Sequence, residues 1–194
     1  NARKTHQTCQ PPTTARMTND RLRLFFALPC PEPVTEALSA WCTANFPCGR
    51  PLHPADLHVT LAFLGNQPVE SLPALTTLAA ALPLPAFELE LACTERWSDL
   101  LVLVTRQAPP ALLEFQAELS NRLQAAGIAH EQRPYRPHLT LVRRLDETAA
   151  PASAPQVSWQ VSEWGLYQSI ERQPRYQRLA RWPAVSGRNS FSPD

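Results

Sequence analysis

An α+β fold with antiparallel or mixed sheets is what the sequence predicts, and three observations carry that expectation. Short apolar segments that alternate with a period of two recur along the chain. Three longer segments with helical spacing stand between them, so the order runs approximately β-α-β-α-β-β-α-β-β-β. One tetrapeptide type, His-x-Thr-Leu, occurs twice and points to two halves of similar construction brought face to face.

Taken in order, 21–28 (RLRLFFAL) places Leu22, Leu24, Phe26 and Leu28 on one face, the pattern of a half-buried strand. A Pro-rich break follows. Val34, Ala37, Leu38 and Trp41 then recur at helical spacing, which predicts an amphipathic helix over 33–46. Residues 57–65 (LHVTLAFLG) are apolar and β-prone, with Gly65 as the expected end. A second helix is predicted over 69–82, with Leu72, Leu75, Leu78, Ala79 and Leu82 on its stripe and Pro73 tolerable only in the first turn. The alternating 86–92 and the apolar 100–105 read as a hairpin turning at Ser98 and Asp99. A third helix over 110–126 puts Leu112, Phe115, Leu119, Leu123 and Ala126 on one side, with Gly127 as its C-cap. Residues 138–144 form a short strand. The Pro/Ala linker TAAPASAP leads to a strand in which Val157, Trp159 and Val161 alternate and which continues through 164–169, and 175–182 is the last strand.

The chain has 194 residues, of which 44% are hydrophobic and 18% charged, with a net charge of +1. That supports one sizeable core and excludes a disordered chain. It also excludes a protein that grips nucleic acid or membrane by bulk charge alone, so any polyanion must meet a local cluster. No apolar run approaches the ~20 residues that span a bilayer, and a cytoplasmic protein without membrane contact is expected. The five Cys, at 9, 30, 42, 48 and 93, fit neither a disulfide framework nor a zinc ribbon and read as reduced thiols. Cys42, Cys48 and His53 lie close in sequence, but zinc would need a fourth ligand; no metal and no cofactor is expected. Met17 is the only Met. It divides a polar extension, 1–16, from a single domain over 17–185, and 186–194 reads as a polar tail.

The two copies of the repeat are His58-Val59-Thr60-Leu61 and His138-Leu139-Thr140-Leu141. Two such matches by chance are expected in only about one chain of this length in several thousand. Alternate strand residues point the same way, so each His shares a face with its Thr while the aliphatic partners enter the core. Opposed faces would make a cleft with two imidazoles and two hydroxyls. Phosphodiester cleavage needs a base for the attacking water and an acid for the departing alkoxide, and histidine's pKa of ~6.5 suits both roles near neutrality. Hydroxyls of Thr60 and Thr140 can donate to non-bridging phosphate oxygens. Arg133, Arg136, Arg143 and Arg144 gather around the second copy and supply planar forks that match phosphate. Phe63 stands in the first half where Arg143 stands in the second. Strand parity favours Arg144 rather than Arg143 on the His-Thr face.

LHVTLAFLG together with RPHLTLVRR resembles the 2H phosphoesterase superfamily. With RLFFAL and RPYRPHLTLVR, the likeness extends over about 21–183 to the bacterial RNA 2′,3′-cyclic phosphodiesterases, also called 2′-5′ RNA ligases. The resemblance implies a bilobal 2H phosphoesterase fold, two pseudo-symmetric lobes around a central cleft with helices outside. It implies metal-independent hydrolysis of a 2′,3′-cyclic phosphate to the 2′-phosphate, with 2′-5′ ligation as the reverse. It further implies that His58 is the proton donor, His138 the proton acceptor, and Arg143 a phosphate contact. The expected partners are RNA 3′ ends or nucleoside 2′,3′-cyclic phosphates, taken by a monomer. The competing readings are a non-catalytic module that binds RNA ends or nucleotides, and a relative acting on another cyclic phosphate or a 2′-5′ oligonucleotide.

Phe25, Tyr135 and Arg136 are candidate substrate contacts, the aromatics as platforms for a nucleobase. Arg133, Arg136 and Arg144 read equally well as solvated charge and as RNA-backbone contacts. Phe63 reads as core, His6, His53 and His130 as surface or turn residues, and Trp41, Trp97, Trp159, Trp164 and Trp182 as packing residues.

Overall fold

The computed structural model describes residues 20–46, 49–145 and 153–185. The elements in chain order are β1 (Arg21–Pro29), α1 (Glu32–Asn45), β2 (Arg50–Pro51), β3 (His58–Pro68), α2 (Leu72–Ala80), β4 (Leu84–Pro85), β5 (Phe87–Leu91), β6 (Cys93–Trp97), β7 (Leu100–Val104), α3 (Pro110–Ala125), β8 (His138–Arg143), β9 (Val157–Val161), β10 (Glu163–Ser169) and β11 (Tyr176–Val185). Both predicted end segments, Cys9, Cys48 and part of the Pro/Ala linker lie outside the described residues.

One mixed sheet runs β4-β11-β10-β1-β3-β8-β7-β6, with β2 added beside β8. Every pair in it is antiparallel except β11 with β4. The two lobes join where β3 meets β8, and the register there pairs Val59 with Leu139. Those are the residues between His and Thr in each motif. The antiparallel register centred on that pair therefore sets His58 across from Thr140 and Thr60 across from His138. The pseudo-two-fold passes between the motifs.

The helices cross between lobes. α1 packs against β2, β8 and β9, whereas α3 packs against β3 and β4. Each lobe's core is thus completed by a helix from the other half of the chain. Val34, Leu38 and Cys42 are the buried face of α1, and Leu112, Phe115, Leu119 and Leu123 that of α3. Trp164 on β10 is fully buried and binds this core together. Its ring lies 5.2 Å from Phe26, 4.9 Å from Phe115 and 5.0 Å from Trp182.

Several sequence expectations need correction. Ala37 and Ala126 are exposed, because the buried stripes of α1 and α3 are narrower than the apolar pattern implied. Gly65 does not end its strand; at φ +67 it forms an irregularity within β3, which continues to Pro68. Val69–Ser71 is a 3-10 turn ahead of α2, and Pro73 sits in the first turn of that helix. The 86–92 segment is not the hairpin partner of 100–105. β5 pairs instead with β9 in a separate two-stranded sheet, and the hairpin is β6 with β7. The polar run CTERW hid β6 because it has no apolar alternation. Residues 157–169 are likewise two strands in two sheets, parted at exposed Ser162. β1 is buried on both faces: Phe25 and Ala27 are buried rather than facing solvent, and the Phe25 ring lies against Tyr167 and Tyr176 of the C-terminal hairpin.

Candidate active site

Each motif strand carries a bulge at the same offset. Along β1 and β3, Phe26 opposes Ala62 but Ala27 opposes Thr60, leaving Leu61 as the extra residue. Along β7 and β8, Leu101 opposes Val142 but Val102 opposes Thr140, leaving Leu141 extra. A bulge inserts one residue and so reverses which face the following side chains take. The result is that positions 58, 60 and 63 share a face, as do 138, 140 and 143, with the two residues after each Thr buried. Both bulged carbonyls are satisfied from outside the strand. The Gln116 side chain donates to the Leu61 carbonyl at 3.2 Å, and the Leu52 amide to the Leu141 carbonyl at 2.9 Å.

The bulge decides between the two arginines. Arg143 faces the cleft; Arg144 is exposed, and its φ of 53 ends the strand. The same device corrects the reading of Phe63, which lines the cavity instead of the core. Its ring is covered by the Arg23 guanidinium, 4.8 Å from the ring centre.

His58, Thr60 and Phe63 from β3 and His138, Thr140 and Arg143 from β8 line one cavity of about 350 Å³. Arg23, Phe25, Ser169 and Tyr176 close one side, Glu131 and Arg133 the other. The imidazoles are oriented alike. His58 Nδ1 donates to the Asp56 carbonyl at 2.6 Å, and His138 Nδ1 to the Arg136 carbonyl at 2.8 Å, each two residues upstream. A proton on Nδ1 leaves Nε2 as the basic nitrogen of the neutral ring. His58 Nε2 is 3.1 Å from Thr60 Oγ1.

Three residues of the site escaped sequence reasoning. Tyr176 meets His58 edge-on with ring centres 4.9 Å apart, and its hydroxyl accepts from Arg143 at 3.1 Å. Trp97 is a site residue rather than packing: it lies 4.5 Å from the His138 ring, and its Nε1 donates to Glu95 at 2.8 Å. Asp56 is 3% exposed, and its carboxylate accepts the Arg175 and Tyr176 amides at 3.0 and 3.1 Å. It thus fixes the hairpin that carries Tyr176. All three come from segments remote in sequence from the ring or hairpin they act on; only the buried acid two residues before His58 gave a local signal.

Phe25 lines the cavity but is 4% exposed, with its ring against His58, Tyr167 and Tyr176. Tyr135 and Arg136 line a neighbouring groove with Trp97 and Phe63. The Tyr135 hydroxyl is buried without a partner among the described residues, and burial pushes the phenol up. Arg136 donates to Glu95 at 2.8 Å and stands 5.3 Å from the Trp97 ring centre. Arg136 and then Trp97 hold the Glu95 carboxyl below its ordinary value.

Loss of hydration on burial lowers the His58 pKa to about 4, helped by the positive charge of Arg143 and the His138 ring; the Asp56 carbonyl and carboxylate oppose it. His138 is lowered too, first by burial and then by Arg133 and Arg136, against the Arg136 carbonyl and Glu131. Both rings are therefore neutral near neutral pH. Among the described residues no group of three or more His, Cys, Asp or Glu is placed to hold a metal ion. Cys30, Cys42 and Cys93 are free thiols, and burial pushes Cys30 up to about 12. No helix among the described residues is long and apolar enough to cross a membrane.

The chain is 36% identical over 168 residues to the RNA 2′,3′-cyclic phosphodiesterase of Escherichia coli (strain K12), covering 82% of this chain and 95% of that protein. A protein of the same name from Thermus thermophilus is 30% identical over 172 residues, covering 76% and 82%. The crystal structure of E. coli LigT complexed with 3′-AMP superposes with a TM-score of 0.79 at 34% identity, over 86% of this chain and 99% of that one. Residues 29–184 match the 2′-5′ RNA ligase superfamily. That match runs from the end of β1 into β11 and takes in both bulged strands: the chain belongs to the 2′-5′ RNA ligase superfamily.

Proposed function

We propose that the protein is an RNA 2′,3′-cyclic phosphodiesterase that opens the cyclic phosphate at an RNA 3′ end and leaves a 2′-phosphate. The observation that carries this reading is the pair of imidazoles on one cavity, each held in the same tautomer by an upstream carbonyl. The kinship with proteins of that name supports the substrate.

In this reading His138 Nε2 takes a proton from water as the water oxygen bonds to phosphorus. The bond from phosphorus to the 3′ oxygen breaks, and His58 Nε2 delivers a proton to that oxygen. Charge gathers on the non-bridging oxygens, where Thr60, Thr140 and Arg143 donate. A donor must first be protonated, and burial by the protein alone favours the neutral form of His58. The phosphate monoanion supplies what is missing, because an adjacent opposite charge favours imidazolium. Substrate binding thus arms the acid. The base is ready beforehand, since His138 is already lowered.

The test is incubation with nucleoside 2′,3′-cyclic phosphates and cyclic-phosphate RNA, with chelator present and the product isomer identified. A 2′-phosphate formed at an undiminished rate is the expected outcome. Binding without turnover of any cyclic phosphate would reject the reading in favour of a recognition module.

A further inference from the structure

Two of the grooves that adjoin the cavity differ in charge compensation. One continues past Thr60, Phe63 and His138 toward Trp97, Tyr135 and Arg136. Its cations are answered: Arg133 pairs with Glu131 at 2.6 Å, and Arg136 with Glu95 at 2.8 Å. The other shares Arg23, Arg143, Ser169 and Tyr176 with the cavity and opens into a space of about 440 Å³. Arg21 and Arg175 extend it, both exposed. Among the described residues, four guanidinium groups line it against the single carboxylate of Glu171. Arg21 donates to the Asn66 carbonyl, Arg23 covers Phe63 and Arg143 donates to Tyr176. None of the four forms a salt bridge among the described residues.

We infer that this second groove is the path of the RNA strand and seats the phosphodiesters that precede the terminal nucleotide. The inference rests on the proposed function, because the cavity it adjoins must hold the strand's end. Uncompensated guanidinium charge beside a phosphate site serves further phosphates along the backbone, since each contact releases counterions from the strand. The paired and aromatic groove offers stacking surface with little net charge, which suits a base. A nucleoside cyclic phosphate has no upstream phosphodiester, so the groove makes the protein favour RNA ends over mononucleotides.

The experiment measures binding, independent of turnover. A short RNA ending in a 2′-phosphate and the matching nucleoside 2′-phosphate are titrated over a range of salt. The RNA is expected to bind more tightly, with an affinity that falls more steeply with salt by about 0.7 in log-log slope for each added phosphate contact. The paired change Arg21→Gln with Arg175→Gln should reduce that slope by about 1.4 and lower the preference for RNA about tenfold. Glu171→Gln should act oppositely and tighten RNA binding. Arg133→Gln, in the compensated groove, should change the slope less than the paired change does. Thermal unfolding checks that each variant is folded. Equal slopes for RNA and mononucleotide, an unaltered slope in the paired variant, or a larger loss from Arg133→Gln would overturn the inference. Absence of cyclic-phosphate turnover with the slopes as expected would reject the proposed chemistry and leave the RNA path standing.

Discussion

The two histidines are supported by the same plan in different materials. In both lobes the residue two places before the histidine gives it a backbone carbonyl. In both lobes that same residue's side chain holds a hairpin, and the hairpin sets an aromatic ring against the imidazole. On the first side the holder is the buried carboxylate of Asp56, gripping two amides, with Tyr176 as the ring. On the second it is Arg136 reaching Glu95 across the surface, with Trp97 as the ring. A buried carboxylate with two charge-assisted bonds is costly to disturb, whereas an exposed ion pair contributes about 0–1 kcal/mol. The His58 side is therefore the rigid half of the site and the His138 side the adjustable half.

The largest expected effect tests whether the halves are both needed at all. His58→Ala and His138→Ala should each lower kcat by ~10²–10⁴, read with a cyclic-phosphate substrate under saturation. If one substitution leaves turnover intact, the two rings do not share the chemistry.

The supports come next. Asp56→Ala should cost about 1–3 kcal/mol in urea unfolding, since it strands two part-buried amides, and should lower kcat by a factor of tens through Tyr176. Arg136→Ala should cost under about 1 kcal/mol and change kcat only a few-fold. Equal losses from the two would erase the distinction between rigid and adjustable halves.

The pH dependence of stability sharpens it further. The His58 imidazole titrates near 6.5 when unfolded and at about 4 when folded. The unfolded chain then binds more protons between those values, so stability falls as pH drops through that window and levels off below it. The loss amounts to at most about 3 kcal/mol, and His58→Gln should flatten it more than His138→Gln does, as read from urea midpoints across the window. Activity should follow the same groups: kcat/KM, which reports the free enzyme, should peak on the acid side of ~6.5, and the kcat optimum should lie higher. A kcat/KM peak well above neutrality would contradict the lowered imidazoles. The smallest expected effect is Trp97→Leu, a few-fold loss in kcat measured at saturating substrate.

Much of this is legible in the chain. The paired motifs give the histidines and threonines, and helical spacing gives α1 and α3 within a residue or two. The bulges leave a trace there too, one that simple strand parity passes over: Leu61-Ala62 and Leu141-Val142 are adjacent aliphatics where alternation calls for one in and one out. That doublet is what turns Phe63 and Arg143 toward the cavity. Tyr176 and Trp97 are not legible, because their roles depend on hairpins folding back across long sequence separations. The β5–β9 pairing escapes for a similar reason, since alternation fixes which face a strand buries and says nothing about its partner.

The matched offsets of Phe63 and Arg143 have a consequence for direction. A repeat folded about an axis cannot by itself tell one end of a ligand from the other, because both ends would see the same surroundings. Here the seats of Phe63 and Arg143 differ, one flat and apolar, the other cationic, and that difference joins those of the supports in giving the pocket a head and a tail. Exchanging the occupants of those seats would weaken that polarity at the cavity itself.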